Sequence, residues 1–240
     1  MRRIAAVARR ELGSYFNSPV AYIVIVFFLL FTSAWFFFGE QFFARDTATL
    51  RGYFSLWPLA FIILLPALTM RSWAEEYRQG TAEILLTLPL RERELVLGKF
   101  AAALALLGLL VVLSLPVPLL VAPLGSLEPG QIVSQYLGVL LLGATGLAAG
   151  LFFSVLSSNQ ISAFLFAVIF LLFITLVGQV PSLLVLPVRL AGLLNWLSFD
   201  FHFDSFRKGL IDTRDAVYFL ALTAGFLVLT TRVLLLRRFR

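Results

Sequence analysis

The chain has 240 residues, 60% of them hydrophobic and 13% charged, and a mean hydropathy of +0.96, which is more apolar surface than one water-soluble core can hide. It contains no cysteine, so disulfides, thiolate catalysis and Cys-ligated metals are excluded together. A net charge of +6 and a pI near 10.2 would suit nucleic acid, but no basic stripe with interleaved aromatics lies outside the ends of the apolar runs, and in a membrane chain basic residues first mark a side of the bilayer.

In chain order, Arg2 to Phe16 places Ile4, Ala8, Leu12 and Tyr15 at helical spacing, with Arg3, Arg9 and Arg10 elsewhere on the wheel. It predicts an amphipathic helix lying on the inner membrane surface, against the plainer reading of a frayed basic tail that only fixes orientation. Charge-free windows then supply helices of the roughly 20 residues that a bilayer core of about 30 Å requires. The first span falls at Pro19 to Phe38. The second, 56–72, is built on the apolar run Leu56 to Met70 and should be broken or kinked at Pro66. The third is Phe100 to Pro123. Between Glu128 and Arg189 lie sixty uncharged residues, enough for spans at 132–156 and 160–181 turned by Ser157, Ser158, Asn159 and Gln160. The sixth is Ala216 to Leu236, with Arg232 snorkelling to the headgroups. The expected fold is thus one all-α integral membrane domain, 1–240, with six transmembrane helices.

With the N-terminus in the cytoplasm, thirteen of the nineteen Lys and Arg residues fall on inner segments, so the positive-inside rule puts both termini there. The first apolar run is longer than a signal-peptide core, and no small-residue cleavage site follows it. Nothing matches a phosphate-binding loop: Gly80-Thr81 lacks the preceding Gly and the Lys, and Gly98-Lys99 is followed by Phe. ATP hydrolysis by this chain alone is not expected. His202 is the only histidine and no Gly-x-Ser-x-Gly elbow occurs, which leaves a catalytic triad without support.

Two polar stretches carry the remaining information. Ten of the 32 Lys, Arg, Asp and Glu residues lie between Arg71 and Lys99. There Gly80 can end one helix, Thr81 can cap the next, and Glu83 favours its positive N-terminus. The resulting short helix, Thr81, Ala82, Glu83, Ile84, Leu85, Leu86, Thr87 and Leu88, stops at Pro89. Its ridge of Ile84, Leu85 and Leu88 is shaped for a groove on another protein, the alternative being a solvated loop with local ion pairs. The second stretch, Ser198 to Asp215, alternates acids with phenylalanines. Read as a strand, it puts Asp200, His202 and Asp204 on one face as conceivable metal ligands. The intervening Phe199, Phe201, Phe203 and Phe206 favour short helices or an extended piece dipping into the interface, with the polar residues facing water and no metal bound.

The run PALTMRSWAEEYRQGTAEILLTLPLRERELVLGKF, Pro66 to Phe100, resembles the segment after the second span of ABC type-2 transporter permeases. SSNQISA at Ser157 to Ala163 continues the similarity, and SFDFHFDSFRKGLIDTRDAVYF at Ser198 to Phe219 resembles the outer region in the gliding-motility-type branch. The resemblance implies an exporter subunit that forms a homodimer or a heterodimer with a second permease. It would bind two copies of a separate ATPase, which holds ATP and Mg2+, and sit in the cell (inner) membrane among its lipids, with no nucleic-acid partner. It makes Thr81 to Leu88 the cytoplasmic coupling helix. Arg71, Glu75, Glu76, Arg78, Gly80 and Arg91 become the inner gate and its flanks, and Ser157 to Gln160 a second cytoplasmic contact. Asp200, His202, Asp204 and Arg207 then belong to short re-entrant outer helices, a surface where an accessory subunit could dock. Arg91 departs from the family, which often has a small capping residue there. Because fixed charge is nearly absent from the spans, a lipidic, peptide-like or hydrophobic cargo, or mechanical work on a large one, fits better than an ion path. The competing readings are a membrane-embedded enzyme or accessory protein using the outer Asp/His segment, and a proton-coupled secondary transporter, which needs mid-membrane ionisable groups.

Overall fold

The computed structural model describes residues 2–44, 49–81, 90–125, 127–184 and 186–238, with the side chains of Val20, Ala44 and Arg238 excluded. Among these residues every regular element is helical. In chain order they are α1 (Arg2–Phe16), α2 (Pro19–Ala34), α3 (Arg51–Ser55), α4 (Trp57–Thr69), α5 (Arg71–Arg78), α6 (Glu92–Ser114) and α7 (Pro116–Val121). There follow α8 (Pro129–Leu156), α9 (Gln160–Leu176), α10 (Val180–Leu183), α11 (Val188–Leu197), α12 (Phe199–Arg207) and α13 (Thr213–Arg238). Six stretches are long and apolar enough to cross a membrane: Ala21–Gly39, Trp57–Arg78, Glu92–Leu124, Pro129–Leu156, Gln160–Leu183 and Thr213–Arg237.

The helix α8 is the central post, packing against α4, α5, α6, α9, α12 and α13. Glycines permit the closest of these approaches. A Cβ on Gly150 would lie 2.1 Å from the Thr69 hydroxyl oxygen, and one on Gly146 would lie 2.3 Å from Leu65, so α4 and α8 touch backbone to side chain. The helix α4 runs through Pro66 and turns instead at Met70, where α5 begins. That turn frees backbone groups which α8 satisfies: Ser154 Oγ accepts from Trp73 N (3.0 Å) and Ala74 N (3.2 Å) and donates to Met70 O (3.1 Å). The third long helix starts at Glu92, earlier than the apolar window alone indicates, because Glu94 accepts from the Arg91 N–H at 3.0 Å and closes the first turn. Arg91 therefore sits at an N-cap position without a capping side chain of its own.

The two ends of the bundle differ in chemistry. At one end meet α1, the start of α2, α5, the start of α6, the turn before α9 and the last turns of α13. Among the ties are Arg71 to Ser18 (2.9 Å), Lys99 to Glu11 (2.8 Å) and Arg237 over the Tyr77 ring (4.4 Å). Both termini of the described chain thus lie at the same end. At the other end Phe28, Tyr53, Phe54, Trp57, Phe61 and Tyr136 form a connected set of ring contacts, and Ser134 of α8 donates to Phe206 O at the end of α12 (3.2 Å).

Candidate functional site

The densest polar constellation is at the first of these ends, around a lysine. Lys99 lies on the α6 face that also carries Leu95, Ala102 and Leu106, a spacing of four, three and four that aims all of them at the core. Its side chain is 1% exposed, against 15% for Glu11 and 15% for Glu76. The ammonium uses its three protons on Glu11 Oε1 (2.8 Å), Glu76 Oε1 (2.9 Å) and Ser72 O (2.8 Å), and lies 4.8 Å from the Trp73 ring centroid. One cation thus joins α1, α5 and α6. The sequence places Lys99 just ahead of the third span at Phe100; the helix extends back past it and buries it, held by two carboxylates. Glu11, Ser72 and Ser154 were also missed by sequence reasoning.

The other expected residues gather around this core. Glu75 accepts from Arg78 Nε (3.1 Å) and NH2 (2.6 Å) and from Gln79 (2.5 Å), and the Gln160 amide reaches the same carboxylate from the start of α9. Asn159 caps α9 by accepting from Ile161 N at 2.9 Å, Ser157 is buried and Ser158 exposed. The Leu156 carbonyl accepts from Arg237 at 2.8 Å, which ties the last helix to the same turn. Gly80 has φ +69°, ending α5 in the left-handed region that a side chain would strain, and Thr81 Oγ1 donates to Glu76 O at 3.4 Å. Ala82, Glu83, Ile84, Leu85, Leu86, Thr87 and Leu88 lie outside the described residues, so the expected coupling helix has described structure only at Thr81.

The helix α1 shows one half-buried side, Ile4, Val7, Ala8, Glu11, Leu12 and Tyr15, with Arg2, Arg3, Arg9 and Arg10 exposed. That side lies along α6: a Cβ on Gly98 would meet Val7 at 2.6 Å. Tyr15 OH bonds Ser72 Oγ at 3.2 Å, and burial pushes its phenol up to about 12.

The Asp/His stretch forms a short helix, α12, and not the strand of the metal-site alternative, but its histidine does not face water as expected. Asp200 and Asp204 share one face while His202 turns inward with Phe199, Phe203 and Phe206. His202 is buried. Its Nδ1 lies 2.7 Å from Asp215 Oδ1, its Nε2 lies 2.8 Å from Trp196 O, and its ring stacks on Tyr218 at 3.8 Å. Asp204 pairs instead with Arg207 and Lys208. Burial pushes the Asp200 carboxyl up, whereas in Asp204 the bonds to Lys208 and Arg207 outweigh burial and hold it below the usual range. Among the described residues no group of three or more His, Cys, Asp or Glu side chains is arranged to hold a metal.

No protein-family model matches this chain, and a search of curated proteins found no match either.

Proposed function

We propose that this chain is the membrane-spanning subunit of an ABC type-2 exporter, coupling ATP hydrolysis by a separate ATPase to translocation or mechanical work. It is a multi-pass protein of the cell (inner) membrane with both termini cytoplasmic. The observation that carries the reading is the lock around Lys99. Residues 79–91 leave α5 and return at α6, and the two helices that bracket them are joined by Lys99–Glu76, with Lys99–Glu11 adding α1. Glu75 adds α9 through Gln160. A push on that segment reaches four helices through charge-assisted bonds, which is the rigidity a coupling element requires.

In this reading Thr81 to Leu88 is the coupling helix seated in a cleft of each of two ATPase copies, which hold ATP and Mg2+. Arg71, Glu75, Glu76 and Arg78 form the polar gate behind it. A second copy or a related permease completes the dimer. The rival enzyme reading gains little from the geometry, because both nitrogens of His202 are taken up by Asp215 and a backbone carbonyl.

Affinity purification of the chain from its own host in mild detergent, with identification of co-purifying proteins and an ATPase assay, tests the proposal. A stoichiometric soluble P-loop ATPase, lost from the Leu85→Ala variant, is expected. Recovery of the chain alone, with no ATPase bound even when one from the same host is supplied, overturns it.

A further inference from the structure

Beside the Lys99 lock lies a cavity of about 520 Å3 whose walls come from α1, the start of α2, the end of α4 and α5. That volume lies within the roughly 300–1,000 Å3 of sites that hold small molecules. Its lining changes character along one direction. Ala21, Ala67 and Leu68 belong to the apolar runs of two candidate spans, while Ser14, Asn17 and Ser18 lie just outside the first of them. The cavity therefore stands at the level where hydrocarbon gives way to headgroups.

Its charges are unevenly satisfied. Glu11 and Glu76 share Lys99, and Glu75 is held by Arg78 and Gln79. Two guanidiniums on the lining, Arg10 and Arg71, have no carboxylate within salt-bridge distance among the described residues, and both are exposed. Arg71 donates only to the neutral hydroxyl of Ser18, which stands at the N-terminus of the sixteen-residue α2 and bonds none of that helix's N–H groups. Two guanidiniums outside any ion pair among the described residues, beside a positive helix end and above an apolar wall, match a phosphate that carries acyl chains.

We propose that this cavity binds the phosphate headgroup of a membrane phospholipid, gripped by Arg10 and Arg71, with the acyl chains leaving past the half-buried Ala67 at the end of α4. The site rests on the reading of the six apolar helices as membrane spans and is independent of any ATPase. Bound lipid would brace α1 against α2 and α5, the joint that the Lys99 lock closes from the other side.

The test is native mass spectrometry of the purified full-length chain, delipidated and then titrated with phosphatidylglycerol. Arg10→Gln and Arg71→Gln should each lower retention about fivefold and together about 25-fold, at roughly one kcal/mol for each basic residue near a phosphate. Arg189→Gln, at the far end of the molecule, should leave retention unchanged. A double variant that keeps parental retention overturns the proposal. So does equal retention of diacylglycerol, which has the chains without the phosphate. Competition by inorganic phosphate as effective as that by short-chain phosphatidylglycerol assigns the cavity to a soluble phosphate instead. Should the double variant misfold, a photoreactive phosphatidylglycerol on the unaltered chain decides. Crosslinks to Ala67 or to Ser14, Asn17 or Ser18 beside it support the site, and crosslinks confined to other segments exclude it.

Discussion

The Lys99 end and the His202 end each bury an ionisable pair, but they reach across very different stretches of chain. Lys99 bonds Glu76 and Glu11, which are 23 and 88 residues away in sequence, while His202 bonds Asp215, 13 residues away and just across the turn that joins α12 to α13. The first pair holds together helices that no short connection would keep in contact. The second fastens a local cap of α11, α12 and the start of α13. In the coupling role proposed above, the first kind of site would carry force between remote helices and the second would serve as an anchor.

The comparison breaks most sharply at Lys99. Lys99→Met leaves two half-buried carboxylates without their cation, and removal of one partner from a buried cluster costs up to about 3–5 kcal/mol. The variant should melt well below the parent in detergent, and protease should cut α1 at Arg9 or Arg10 once that helix loses its tie. Adding Glu11→Gln and Glu76→Gln should restore most of the loss, since neutral hydrogen-bonding groups tolerate burial where bare carboxylates do not. If the triple variant stays as unstable as the single one, packing of the lysine stem, not charge, holds the joint.

His202→Ala should cost less, about 2–3 kcal/mol, from the lost bonds to Asp215 and to Trp196 O plus the vacated stacking on Tyr218. The damage should stay local. Hydrogen exchange should rise in α11 and α12 and remain at parental levels in α1 and α5. Spread of exchange to α1 would erase the distinction between a local cap and a long-range lock.

How much of this was readable in the sequence differs between the two ends. Charge-free windows locate six apolar helices because a bilayer imposes a length that few other constraints imitate. The concentration of charge between Arg71 and Lys99 was equally plain, but its geometry was not. Lys99 directly precedes an apolar run and looks like a loop charge. The signal that it is buried was the ladder Leu95, Lys99, Ala102 and Leu106, visible only when the helix is extended back to Glu92. Glu11 and Ser154 could not be found at all, since nothing local says which remote helix each will meet. At the other end a short helix was the favoured reading, and the miss was His202, expected to face water with the acids. Alternation of acid and phenylalanine groups His202 with the acids at a spacing of two, whereas Phe199, His202, Phe203 and Phe206 are buried at a spacing of three, one and three.

A smaller effect sharpens the account of the α4–α5 joint. Ser154→Ala removes the acceptor for two buried N–H groups, at Trp73 and Ala74, and the donor to Met70 O, and should cost about 1–2 kcal/mol. Ser154→Thr keeps the hydroxyl but adds a methyl group at a position with no exposed surface, so its rescue should be partial. The readout is the melting temperature of each variant against the parent. Full stability of Ser154→Ala would mean that the turn at Met70 holds itself.

The smallest effect on stability carries the most information about function. Arg78 is 62% exposed and pairs with Glu75 one turn earlier in the same helix, so Arg78→Ala should leave the melting temperature close to the parent's. Glu75 keeps Gln79 and Gln160 as donors, so α5 stays tied to α9. Yet Arg78 stands at the last turn of α5, immediately before the segment proposed to seat in the ATPase. If that segment transmits force, Arg78→Ala should leave the melting temperature and ATPase binding intact while lowering ATPase stimulation severalfold, because the tie between carboxylate and helix end is looser. If stimulation is unchanged, Glu75 answers to Gln160 alone, and the path from the segment into the bundle runs through Glu76 and Lys99.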